Sequence, residues 1–184
     1  MRHTGKQMSP AEIEHLLATG HCGHLATFSA DGSPYVRPLR YVWLDGQVWL
    51  RNTVAQGHLQ GKVRHEPRAC FEVAVPGQVF AYGRFEGDTS VEYQSVVAFG
   101  RMAIFDHRSR KARFFDALMA KYRGTDATRP QGFYPRLDGV AVYALSVARI
   151  TGKAQILPSM EQQWPAADDT KSPEAEAPIR VAPR

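Results

Sequence analysis

Hydrophobic positions along the chain change their period more than once. Between Ser9 and Gly20, Ile13, Leu16 and Leu17 recur three to four residues apart, as on one helical face. Ser9 and Glu12 form an S-x-x-E pair around Pro10, which predicts a capping box with proline in the first turn; Gly20 marks the end. From Cys22 the period falls to two. "HLATFS", "PYVRPLRYVWL" and "QVWLRN", separated by "ADG" and "DG", read as three strands joined by tight turns. Pro38 interrupts the second of these and predicts an edge, a bulge or a bend, because proline donates no ladder hydrogen bond.

"AQGHLQGKVRHEP" then reads as a short helix stopped by Pro67, and "RACFEVAV" as a fourth strand ending in a loop at "PGQ". "VFAYGRFEG" is a further extended piece and "EYQSVVAFGRMAIFD" a fifth clear strand. "HRSRKARFFDALMAKY" places Phe114, Leu118 and Met119 on one helical face, and "GVAVYALSVARITGK" is the last strand. Six or more short strands with few helices predict a mainly β fold: an antiparallel β-barrel, closed or partly closed, with flanking helices. Residues 1–156 form the expected domain. From residue 157 the composition turns to Pro, Ala and charged residues, and 157–184 is expected to be a disordered tail.

Composition narrows the function classes. The 184 residues are 43% hydrophobic and 22% charged, an ordinary globular balance. No apolar run approaches the roughly 18 residues of a membrane span, and "MRHTGKQMSPAEIEHLL" has no signal-peptide core, so a cytoplasmic protein is expected. The net charge of +5 is spread over segments such as "RSRKAR" and "GKVRHEPR" among acidic groups. "RSRKARFF" mixes basic with aromatic residues, but its apolar positions are needed by the core, so nucleic acid is not the expected partner. A phosphate-bearing small ligand suits the same modest positive balance.

"HCGH" at residues 21–24 looks at first like a metal or Cys/His site. At the start of a strand, alternation sends His21 and His24 to opposite faces, and no second Cys/His cluster supplies further ligands. No metal site is expected, and Cys22 is read as a buried small residue rather than a reactive thiol. "RPLRYVW" alternates arginine with aliphatic and aromatic side chains, a pattern that fits a core strand with solvated arginines or a wall for an anionic, ring-shaped ligand.

The order of "HLATFSADGSPYVRPLRYVWLDGQVWLRN", "GHLQGKVRHEPRACFEV", "EYQSVVAFGRM" and "RITGK" resembles the flavin-binding split-barrel superfamily related to pyridoxamine 5′-phosphate oxidase. The likeness runs from Met1 to about Lys153 and is nearest to the branch of 5-nitroimidazole reductases. It implies a homodimer with FMN at the subunit interface. It places the flavin along Val36–Tyr41 and Trp49–Asn52, with Pro38, Leu39 and Tyr41 flanking the ring and Asn52 nearby. It assigns the phosphate to Arg40, His58 and Lys62, helped by Arg64 and the helix start near Gly57, and brings Ser95 towards the flavin.

Three positions depart from the family pattern. Gly57, His58 and Leu59 stand where Gly/Ser-Arg-Lys is common, which weakens the usual phosphate grip. Arg51 occupies the place of a histidine in the nitroimidazole reductases; it is the expected catalytic residue, facing substrate as an anion holder rather than a general acid. The "APIRVAPR" tail lacks the oxidases' Arg-Leu-His-x-Arg signature, so pyridoxamine phosphate oxidation is not implied. The function expected is an FMN-dependent oxidoreductase acting on nitro-aromatic or other small acceptors. The alternative is a non-catalytic flavin-, haem- or deazaflavin-binding protein, in which His58 or His107 would be the axial candidates for haem.

Overall fold

The computed structural model describes residues 4–53, 58–80, 90–123, 130 and 132–157. All of the expected tail except Leu157, and residues 81–87 of "VFAYGRFEG", lie outside the described residues. Ten main elements follow one another: α1 (Pro10–Thr19), β1 (Gly23–Phe28), β2 (Pro34–Leu39), β3 (Tyr41–Leu44), β4 (Gln47–Thr53), α2 (His58–His65), β5 (Arg68–Phe80), β6 (Ser90–Phe105), α3 (Arg108–Arg123) and β7 (Val140–Gln155). Helix α1 begins as its sequence requires. Ser9 Oγ accepts from the Glu12 N–H at 3.3 Å, and the Ser9 N–H donates to Glu12 Oε2 at 2.6 Å. The "DG" turn places Asp45 at φ 53° and Gly46 at φ 69°, the left-handed pair that matches strand twist in a two-residue hairpin.

The strands form one seven-stranded sheet in the order β2-β1-β5-β6-β7-β4-β3, with every pairing antiparallel. The expected barrel is therefore corrected to an open sheet. Strand count and direction agree, but β2 and β3 are its two edges and no ladder joins them. The reason lies in the long second strand. "PYVRPLRYVWL" breaks at Arg40, after which the chain leaves one edge of the sheet and enters the other. Tyr122 of α3 holds that break, its hydroxyl accepting the Tyr41 N–H at 3.1 Å. The expected loop at "PGQ" is also corrected: β5 runs through it, with a register shift between Pro76 and Val79 where it pairs with β6.

Two apolar clusters follow from the pleat. Leu25, Tyr41, Leu50, Phe71, Val73 and Tyr143 lie on the inner face with Leu16 and Leu17 of α1 and Leu59 and Val63 of α2. Val42, Trp49, Val142 and Ala144 lie on the opposite face, where Phe114 and Leu118 of α3 cover them. Among the described residues, no helix is long and apolar enough to cross a membrane.

Candidate functional site

The edge switch at Arg40 opens a gap in the sheet. Strand β3 pairs with β4 only from Tyr41↔Leu50 to Leu44↔Gln47. Beyond that point β2 pairs with β1 alone, and Arg51, Asn52 and Thr53 of β4 pair with β7 alone. Two strand edges thus diverge from the Tyr41–Leu50 pair, each with backbone donors and acceptors that no ladder uses. Pro38, Leu39 and Arg40 lie on one side of this gap, and Arg51 and Asn52 on the other.

Alternation sorts these residues between the two faces. Leu39, Tyr41 and Asn52 share the parity of the inner cluster, whereas Pro38, Arg40 and Arg51 share that of Val42 and Trp49, the face covered by α3. Arg37 has inner parity and was missed in the sequence. Burial raises the Tyr143 phenol above its ordinary value; the Arg37 and Arg64 charges pull it back and the Asp106 carboxylate adds to the rise. Arg37 lies on the inner side by its pairing with Leu25, and Arg64 lies on α2, whose Leu59 and Val63 pack into the inner cluster. Lys62 places its Nζ 3.4 Å from the centroid of the Tyr35 ring, two residues from Arg37 on the same face. None of Arg37, Arg40, Arg51, Lys62 and Arg64 forms an ion pair with a described carboxylate.

On the other face the gap adjoins a cavity of about 590 Å³. Arg40 and Arg51 form one wall. Phe115, Leu118, Met119, Tyr122 and Arg123, spaced three and four apart on α3, form a second, and the segment Tyr134–Leu137 with Val140 forms the third. The Arg40 guanidinium carbon lies 5.8 Å from the Tyr122 ring centroid. Arg123 and Arg136 bring the guanidinium count of the lining to four, and its described residues include no carboxylate.

The remaining expected residues are dispersed. Tyr41 is fully buried, packed edge-on against Phe71 at 4.8 Å, so its ring faces the core rather than a ligand. Arg40 and Lys62 do not share one phosphate site. Arg40 lies on the α3 side, while Lys62 sits on Tyr35, five residues and about 16 Å back along the strand on the other face. His58 begins α2, one turn before Lys62, and is exposed. Ser95 lies in mid-sheet between Ala74 and Lys153, three strand spacings or about 14 Å from β2.

Cys22 is exposed, not buried as expected. Strand β1 begins one residue later at Gly23, where a β-carbon would collide with the Phe71 ring, so the glycine takes the inward position. The six described histidines, His58 and His107 among them, are all exposed, and none lines the cavity. Among the described residues no three His, Cys, Asp or Glu side chains converge as a metal site.

Comparison with known proteins supplies the lineage. An FAD- and haem-binding protein of Mycobacterium smegmatis shares the fold with a TM-score of 0.72 at 19% identity, over 97% of this chain and 88% of that one. A flavocytochrome of Azotobacter vinelandii gives a TM-score of 0.71 at 19% identity, over 96% and 81%. A candidate 5-nitroimidazole antibiotic resistance protein of Bacteroides thetaiotaomicron gives 0.66 at 17%, over 79% and 84%. At these identities the likeness is one of fold. No curated protein matches the chain. The sequence profile described as pyridoxamine 5′-phosphate oxidase, however, matches residues 9–154, and the chain belongs to that flavoprotein family.

Proposed function

We propose that the protein is an FMN-dependent oxidoreductase that binds its flavin in the gap between β2 and β4. The observation that carries this reading is the pair of free strand edges flanked by basic side chains that form no ion pair with a described carboxylate, in a chain of this family. The residues present fit the cofactor. A phosphate dianion needs charge-assisted donors, and Arg37, Lys62 and Arg64 with His58 supply them on the inner side. A flavin ring needs an apolar wall and a few backbone hydrogen bonds, which Pro38, Leu39 and the unpaired edges at Asn52 offer. When bound, the flavin supplies two-electron redox chemistry between a reduced donor and an oxidised small acceptor.

Arg51 and Arg40, on the opposite side of the gap, hold the negative charge of the reacting partner and exclude none of its flat body. Nitro-aromatic acceptors, as in the 5-nitroimidazole branch, are the first class to test. The protein works as a homodimer in this reading. Over β1 and β2, the sheet face that α3 covers further along carries Phe28, 43% exposed, and Val36, 61% exposed, on adjacent strands. Ser95 shares that face, so only a second copy brings it to the flavin. The haem-binding alternative finds no buried histidine among the described residues.

Reconstitution with FMN followed by removal of excess tests the proposal. Retained flavin bands that bleach anaerobically with NADPH are the expected result. Arg37→Gln should weaken retention about ten-fold or more, and Arg51→Ala should retain flavin but slow turnover. A protein that holds no flavin sinks the proposal.

A further inference from the structure

The cavity under α3 has a composition that flavin binding in the gap does not require. Arg123 and Arg136 lie 72 and 85 residues beyond Arg51 in sequence, yet the packing of α3 on β4 brings them to one concave space with Arg40 and Arg51. Four like charges facing one volume repel each other, and no described carboxylate pairs with any of them. Other arginines of the same region are neutralised: Arg108 pairs with Asp138 at 2.7 Å, and Arg113 with Asp45 at 2.6 Å. Arg110 of α3 and Arg37 and Arg64 on the inner side also form no ion pair with a described carboxylate; what sets Arg40, Arg51, Arg123 and Arg136 apart is their convergence on one concave space.

The walls determine what kind of anion fits. About 590 Å³ lies in the range of small-molecule pockets and far exceeds an inorganic ion. Phe115 and Tyr122, on one face of α3, present ring surface, with Leu118 below them. Guanidinium groups bind carboxylate or phosphate through two parallel hydrogen bonds and stack on flat π systems. We infer that this cavity is a binding site for a flat organic anion, an aromatic body bearing a carboxylate, held by Arg123 and Arg136 with Arg51 and Arg40. In assigning Arg40 and Arg51 to the reacting partner the site rests on the proposed function; it goes beyond it in Arg123 of α3 and Arg136 of residues 134–137, which the β2–β4 gap does not use.

Isothermal titration of the full chain with 4-nitrobenzoate, and with neutral 4-nitrobenzamide of nearly the same shape, tests the inference. The carboxylate should bind at least about ten-fold more tightly than the amide, with the preference shrinking as salt is raised. Arg123→Gln and Arg136→Gln, both at exposed positions, should each remove about ten-fold of carboxylate affinity while leaving FMN retention unchanged. Equal binding of acid and amide, or carboxylate affinity untouched by both variants, overturns it. Loss of FMN in the two variants also overturns it, because the cavity would then be the cofactor's phosphate site. Carboxylate binding in a protein that holds no flavin would leave this site standing while the proposed function falls.

Discussion

The hydroxyl of Tyr122 is where a single atom controls the architecture, and Tyr122→Phe removes it alone. In the structure it accepts the Tyr41 N–H at 3.1 Å, donates to His21 O at 2.8 Å, and has Tyr41 O within reach at 3.0 Å. These groups belong to the approach to β1 and to the start of the edge strand β3, so one phenol ties both points to α3. The ring stays in the variant, and with it the contacts of Arg40 and Lys121. The loss is one backbone donor left without its acceptor, about 1–3 kcal/mol, plus a neutral hydrogen bond to a carbonyl that water can partly replace. Together these come to about 2 kcal/mol, or about 4–8 °C in Tm for a chain of this size. Urea unfolding followed by circular dichroism should show a lower midpoint with an unchanged m-value, and Tyr41 amide exchange should accelerate. A midpoint within about 0.5 kcal/mol of wild type would refute the claim that this hydroxyl holds the edge switch.

Two other groups, buried Thr27 and half-buried Lys121, give predictions of opposite kind. Thr27 is 2% exposed, and its Oγ1 has no hydrogen-bond partner, so Thr27→Val, which keeps the shape and removes the orphan, should stabilise the fold by about 1 kcal/mol in equilibrium unfolding; a loss of stability would mean that the hydroxyl is satisfied. Lys121 packs its Nζ 3.7 Å from the Tyr41 ring centroid and 3.3 Å from Leu17 O, and burial lowers its pKa to about 8. The unfolded chain then binds the proton more tightly, so stability contributed by this site rises with pH from about 8 towards the ordinary lysine value, by roughly 1 kcal/mol once its half-exposed position is discounted. Lys121→Met should abolish that rise in a Tm-against-pH series, and a slope unchanged by the substitution would contradict the assignment.

What the sequence revealed and what it hid divide along a physical line. The capping box of α1 and the Asp45–Gly46 turn were legible because their causes lie within a few residues. The run "PYVRPLRYVWL" carries Pro38, which predicted an edge, a bulge or a bend, and β2 is an edge strand that ends at Leu39; nothing local says that the chain then crosses to the other edge. Its break depends on Tyr122, 81 residues away, and a barrel was expected because that contact cannot be read from period. The "PGQ" segment misled for the same reason: local turn chemistry yields to β6, which pairs on both sides of the register shift.

The site divides in the same way. Alternation alone distinguished Arg37 from Arg40, since three positions apart on a strand means opposite faces, so Arg37 was within reach of the sequence. Arg123 and Arg136 were not, because they join Arg51 only through the packing of Phe114 and Leu118 over Trp49 and Val142. Both shortfalls have one origin. The switch of edges at Arg40 keeps β2 from pairing with β4, which opens the sheet and frees the two strand edges. The same switch directs Arg40 to the α3 side, where Tyr122 both holds the break and lines the cavity. A substitution that loosens this junction should therefore perturb flavin retention and anion binding together, whereas Arg37→Gln and Arg136→Gln should separate them.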